Sequence, residues 1–163
     1  MTAEGLKLAG AVLLTAAGWL LGRSRTDALR RRAALLRAVS VSLGVMADEL
    51  TALNTPLPAI FERLRSRPFF DLLYAGFGGE PLPELWRRAA EAQGFDGKDA
   101  ETLASLGAVV GRYDAPRQAA EIALVRRSLD GSAEALEREL TGRAGSYAGL
   151  GAACGAILAV MLF

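Results

Sequence analysis

Apolar residues are concentrated at the two ends of the 163-residue chain. The last stretch, Ser146 to Phe163, has eighteen residues and no charge. As a helix it would be about 27 Å long, close to the hydrocarbon thickness of a bilayer. Leu8 to Gly22 is also uncharged, and Lys7 before it can reach the membrane interface with its long side chain. The pattern predicts an N-terminal transmembrane helix over residues 1–22 and a C-terminal one over residues 146–163.

Between these ends, apolar residues recur at alternating steps of three and four, as on a helix with one buried face. The first such stripe directly follows residue 22, so the first span is predicted to continue into one long helix. The last, Pro116 to Leu140, leads towards the second span. The first stripe consists of Leu29, Ala33, Leu36, Leu43, Ala47 and Leu50, with Leu35, Val39, Met46 and Leu53 beside it.

Proline and glycine divide the middle of the chain into shorter helices. Pro56 and Pro58 end the first long helix, and Thr55 is predicted to cap the next one. Asp99 is predicted to cap a later helix that ends near Gly111. No stretch shows the alternation of a β-strand. The sequence therefore predicts an all-α fold: an antiparallel helical bundle over residues 23–145, flanked by the two transmembrane helices.

The distribution of charge predicts how the protein is oriented in the membrane. Charged residues make up 23% of the chain, and the net charge of +1 argues against nucleic acid as a partner. Between Arg23 and Arg37 there are six arginines against Asp27 alone. Arginines directly after an apolar span mark the cytoplasmic side, and they can also contact anionic membrane lipid. The central domain is therefore expected in the cytoplasm and both termini outside.

Few residues suit catalysis. The chain has no histidine, which excludes histidine-dependent acid–base chemistry and the common zinc sites. The lone Cys154 lies inside the second predicted span, and neighbouring carboxylates such as Asp48 and Glu49 diverge on a helix. We expect no catalytic residues, no cofactor, no metal and no enzymatic activity.

Small residues in the predicted spans suggest close helix packing. Glycines four residues apart let two membrane helices approach each other. The same spacing serves packing within one chain or between copies in a homo-oligomer, and glycine is also tolerated in membrane helices without such a role. The pairs are Gly18 with Gly22, Gly145 with Gly149, and Gly151 with Gly155.

Three features in order along nearly the whole chain resemble the stage III sporulation protein AB family of endospore-forming bacteria. They are the Thr55-Pro56-Leu57-Pro58 turn, Trp86 in a short helix, and the segment from Leu106-Gly107 through Gly111, Asp114 and Gln118. The resemblance implies a cytoplasmic domain similar to the F-type platform domain of type II secretion and type IV pilus machines. It also implies a non-catalytic subunit of a channel-like complex between mother cell and forespore, in the mother-cell membrane. The implied partners are a secretion-type ATPase, the AA protein, and other membrane proteins of its operon.

Two classes of function stay open from the sequence. The first is a scaffold subunit, and the second is a membrane-tethered signalling module that dimerises through the long helices. Each residue of the scaffold's candidate partner surface also has a structural interpretation, because prolines stop helices, tryptophan fills cores and glycine permits close packing. The candidate surface consists of Thr55, Pro56, Pro58, Trp86, Gly107, Gly111, Asp114 and Gln118.

Overall fold

The computed structural model describes the backbone of residues 3–95 and 97–162 and the side chains of residues 26–95 and 97–142. No strand occurs in the described backbone, where a single isolated bridge joins Phe77 and Glu80. The prediction of an all-α fold is therefore confirmed. The helices are α1 (Ala3–Ala52), α2 (Leu57–Leu64), α3 (Phe70–Gly76), α4 (Leu82–Ala92), α5 (Gly97–Val109) and α6 (Ala115–Leu162).

The chain forms two compact units. One comprises residues 33–134, and the other comprises residues 1–32 and 135–163. In the second unit, the Asp27 carboxylate lies 3.9 Å from Arg30, one turn further along α1. The predicted domain boundaries after residues 22 and 145 stay predictions.

The predicted membrane spans lie outside the described side chains. The same is true of the glycines predicted to pack there. Within residues 26–95 and 97–142, whose side chains are described, no helix is long and apolar enough to cross a membrane. The glycines concerned are Gly18, Gly22, Gly149, Gly151 and Gly155.

Helix α1 contributes its predicted apolar stripe, from Ala33 onwards, to the core of unit 33–134. Leu36 and Leu43 are fully buried, and so are Val39 and Met46 beside them. Leu53 departs from the prediction, because α1 ends at Ala52 and the leucine side chain is 64% exposed. The stripe thus packs within its own domain up to the last turn of the helix.

An aromatic cluster forms the centre of the same unit. The rings of Phe69 and Trp86 lie 5.2 Å apart in an edge-to-face arrangement, and Phe70 and Phe95 contact Phe69 in the same way. Phe61 joins the cluster through Phe70. Edge-to-face contacts add to the stabilisation from burying such large apolar surfaces. Helices α2, α3 and α4 are held together by this cluster, with α4 also packing along α5.

Two helices begin with the same Pro-Leu-Pro sequence. Pro56 precedes α2 with φ −63° and ψ 144°, and Pro81 precedes α4 with φ −61° and ψ 140°. Proline suits these positions because its fixed φ is already correct and the first helical turn uses no N–H groups. The prediction that Thr55 caps α2 is wrong, since Pro56 occupies the cap position and the Thr55 hydroxyl bonds elsewhere.

The start of α5 also differs from its prediction. The helix begins at Gly97, so Asp99 lies inside the first turn and not before it. Its buried carboxylate accepts a hydrogen bond of 2.7 Å from the Ser132 hydroxyl of α6. Asp99 therefore fixes α5 against α6 in addition to any local effect at the helix start.

Candidate functional site

Gly107 allows the start of α4 to lie directly against α5. A Cβ at this position would be 2.7 Å from the Leu82 carbonyl oxygen and 2.7 Å from Pro83 Cα. Both neighbours are backbone atoms, which cannot rotate away as a side chain can. Only glycine therefore fits between these two helices.

Gly111 allows the start of α2 to lie close to the end of α5, beside the start of α4. It follows α5 with φ +80°, a conformation that favours glycine. A Cβ there would lie 3.0 Å from the Cδ1 atom of Leu57 and 3.6 Å from that of Leu82. The central leucines of the two Pro-Leu-Pro sequences thus meet at the end of α5. We call residues 53–58, 81–83 and 107–118 the proline–glycine corner.

The turn between α5 and α6 is fixed by the side chain of Gln118, which is only 7% exposed. Its amide oxygen accepts a hydrogen bond of 3.1 Å from the Gly111 backbone N–H. Its amide nitrogen donates to the Tyr113 carbonyl oxygen. One side chain therefore provides hydrogen-bond partners for two backbone groups that lie between the helices and have no partner within α5 or α6.

Glu49 fixes the other side of the corner, where α1 turns into α2. Its carboxylate accepts hydrogen bonds from the Thr55 hydroxyl at 2.7 Å and from Arg63 Nη1 at 2.7 and 2.8 Å. The Thr55 backbone N–H also donates to the Glu49 carbonyl at 3.1 Å. The bond from Thr55, followed by that from Arg63, lowers the pKa of Glu49, because both favour the ionised carboxylate.

The structure divides the predicted partner surface into buried and accessible residues. Trp86, Gly107 and Gln118 are buried, Trp86 completely. Trp86 and Gly107 act in packing, as their structural interpretations propose, and Gln118 fixes the turn before α6. Among the residues with described side chains, none provides a hydrogen-bond partner for the Trp86 Nε1 atom. Residues of the predicted surface that are exposed or half-buried at the corner are Thr55, Pro56, Pro58, Gly111 and Asp114.

Sequence reasoning missed several residues that the corner exposes. Tyr113 is 43% exposed, and the Arg117 guanidinium carbon lies 4.0 Å from the centre of its ring. Spacing of four residues across a helix start could have indicated this contact. The repeated Pro-Leu-Pro sequence was a second signal, since it marks two similar helix starts. The pairing of Glu49 with Arg63 bridges two helices and had no local signal.

The exposed side chains of the corner are of the kinds found at protein interfaces. The corner combines exposed prolines, an aromatic ring and guanidinium groups, all of which are common at protein interfaces. In the part of the chain with described side chains, no group of three or more acidic or thiol residues is arranged to hold a metal ion.

Comparison with known proteins identifies the family. Neither the curated proteins nor the solved structures contain a match to this chain. The sequence model of the family described as stage III sporulation protein AB matches residues 7–163, nearly the whole chain. The chain therefore belongs to the stage III sporulation protein AB family and has a role in stage III of sporulation.

Proposed function

We propose that this protein is a non-enzymatic membrane platform subunit of a secretion-like complex that acts between mother cell and forespore. Two terminal spans would hold the helical bundle at the mother-cell membrane, with the bundle in the cytoplasm. The bundle would dock the secretion-type AA ATPase, and the spans would contact other membrane proteins of the sporulation operon.

The proline–glycine corner is the observation that carries this proposal. Its backbone is fixed at Gly107 by close packing and on either side by Gln118 and Glu49. On this support it exposes Leu53, the most exposed large apolar side chain in the described part, and Tyr113. Rigid support beneath exposed apolar and aromatic groups is what a docking surface requires.

The alternative, a signalling module that dimerises through α1, has less support. A dimer zipper would need the apolar stripe of the helix to face a second copy. Leu36 and Leu43 are instead fully buried within the domain, and Leu50 is 6% exposed. The stripe is therefore already used in the fold of a single chain.

Docking can be tested with the full-length protein in detergent or nanodiscs and the purified AA ATPase of the same organism. We expect direct binding, and we expect Leu53→Asp to weaken it. Leu124→Asp is the matched control, because Leu124 is 54% exposed on α6 outside the corner. Absence of binding by the unmodified protein would contradict the proposed function, and equal losses for both variants would contradict the role of the corner.

Membrane topology provides an independent test. A reporter fused at Gly78, in the exposed loop between α3 and α4, should be active as a cytoplasmic fusion. Activity only on the outer side would contradict the orientation derived from the arginine bias, and a cytoplasmic ATPase could then not reach the domain.

A further inference from the structure

The turn between α5 and α6 presents an arginine stacked on a tyrosine. The Arg117 guanidinium lies 4.0 Å from the Tyr113 ring centre, within the range of a cation–π contact. Tyr113 remains 43% exposed, so the arginine covers only part of the side chain. A guanidinium that stacks with its flat face on an aromatic ring keeps the N–H groups at its edge able to donate.

Two cations without an ion-pair partner among the described residues lie at this turn, Arg112 within it and Arg117 in the first turn of α6. Arg112 and Arg117 are both exposed, and neither has a carboxylate within ion-pair distance among the described residues. This differs from Arg63, which is paired with Glu49, and from Arg88, which is paired with Glu80. Asp114 is the single carboxylate between them in the sequence, so the turn keeps a net positive charge.

The chemistry of the turn selects a ligand class. Arginine pairs with carboxylates through two parallel N–H···O bonds, and tyrosine adds apolar contact area with a hydroxyl at its edge. A phosphate-rich surface fits less well, because it offers no apolar group to contact the exposed Tyr113 ring. A folded or extended protein segment that carries carboxylates beside an apolar group uses all of these features.

We infer that Arg112, Tyr113 and Arg117 form a recognition site for an acidic surface segment of the AA ATPase. The inference rests on the proposed function, and it adds the chemistry of the contact and the residues that make it. Gln118 supports the site without contacting the partner, since it holds the Gly111 N–H and the Tyr113 carbonyl.

The test measures dissociation constants between the full-length protein in nanodiscs and the purified AA ATPase at several salt concentrations. Arg112→Glu combined with Arg117→Glu should weaken binding by about tenfold or more, the usual effect of losing hot-spot residues. The double variant should also reverse the weakening of binding by salt that the unmodified protein shows. Tyr113→Ala should weaken binding with little change in its salt dependence.

Two further variants make the result specific. Arg87→Glu removes an exposed arginine on α4, at a distance in the sequence from the turn, and should leave binding unchanged. Arg117→Lys keeps the charge but loses the flat guanidinium, so its affinity should fall between those of the unmodified protein and the double variant. Circular dichroism checks that each variant is folded.

The outcomes separate this inference from the function on which it rests. If the ATPase binds and the double variant binds as tightly as the unmodified protein, the recognition site is refuted while the platform function stands. The same follows if Arg87→Glu weakens binding as much as the double variant. If the ATPase does not bind the unmodified protein, the proposed function fails and this site fails with it.

Discussion

The aromatic cluster and the turn between α5 and α6 place similar side chains in opposite environments. Trp86 and Phe69 are fully buried and touch other rings edge to face, whereas Tyr113 is 43% exposed and touches a cation. Burial of the first group stabilises the fold, and exposure of the second leaves apolar area for a partner. Mutations should therefore separate stability from binding, with large stability losses confined to the buried cluster.

Of the variants that test this comparison, Trp86→Ala should cause the largest loss in the free energy of unfolding. Removing a fully buried indole leaves a cavity between α3 and α4, and such truncations cost about 3–5 kcal/mol. Urea titrations followed by far-UV circular dichroism measure the loss. Trp86→Phe is the matched control, since it keeps a ring and removes the unpartnered Nε1 atom, and it should cost less. Equal losses for both would show that the ring contacts contribute little.

Gly107→Ala tests how tightly α4 and α5 pack at the corner. The new Cβ would meet backbone atoms of Leu82 and Pro83 at 2.7 Å, so we expect a loss of about 1–3 kcal/mol in the free energy of unfolding. Gly131→Ala in α6 is the control, because its Cβ meets nothing within 4 Å. That change should stabilise by about 0.5–1 kcal/mol, as expected for an exposed helical glycine. If both variants were destabilised equally, the loss at Gly107 could not be attributed to its close contact with α4.

Gln118→Ala should affect stability and binding together. It leaves the Gly111 N–H and the Tyr113 carbonyl without their partner, at a cost of about 1 kcal/mol. Because the turn is then less well fixed, affinity for the ATPase should also fall. Thermal unfolding and the binding assay described above measure the two effects. Unchanged affinity despite lower stability would show that the partner does not depend on the shape of this turn.

Glu49→Gln should have the smallest effect, visible mainly in its pH dependence. The folded-state pKa of Glu49 is lowered by Thr55 and Arg63, so its contribution to stability is present above the unfolded value of about 4.3. It is lost as the pH falls through the folded value. The unmodified protein should therefore lose more stability than Glu49→Gln does as the pH is lowered from about 5 to below the unfolded value of about 4.3. Parallel denaturation curves over that range would contradict this role.

The sequence predicted the helices better than the contacts between them. Prolines and glycines act locally, so α2, α4 and the end of α5 lie near the expected positions. The stripe of α1 was equally readable, because its period fixes which side chains share a face. The two capping predictions failed at residues whose side chains bond another helix. Thr55 bonds Glu49 across the turn, and Asp99 bonds Ser132, which lies 33 residues further along.

The candidate partner surface stays a prediction, and the sequence could not show which of its residues are accessible. The family resemblance named several residues that lie at the corner, but it could not tell a buried residue from an exposed one. Trp86 and Gly107 lie inside because two helices approach there, which depends on the whole arrangement of the unit. Tyr113 and Arg117 were overlooked because a tyrosine and an arginine at a helix start are each unremarkable until the turn brings them into contact.

The Gln118 side chain also has a consequence for the rate of association. Because it holds the turn between Gly111 and Tyr113 before any partner arrives, docking need not wait for a loop to order. The encounter rate would then be limited by diffusion and by attraction between the two arginines and an acidic partner, and would fall as salt is added. In Gln118→Ala, the turn would have to order during binding. Association should then be slower and depend less on salt than in the unmodified protein.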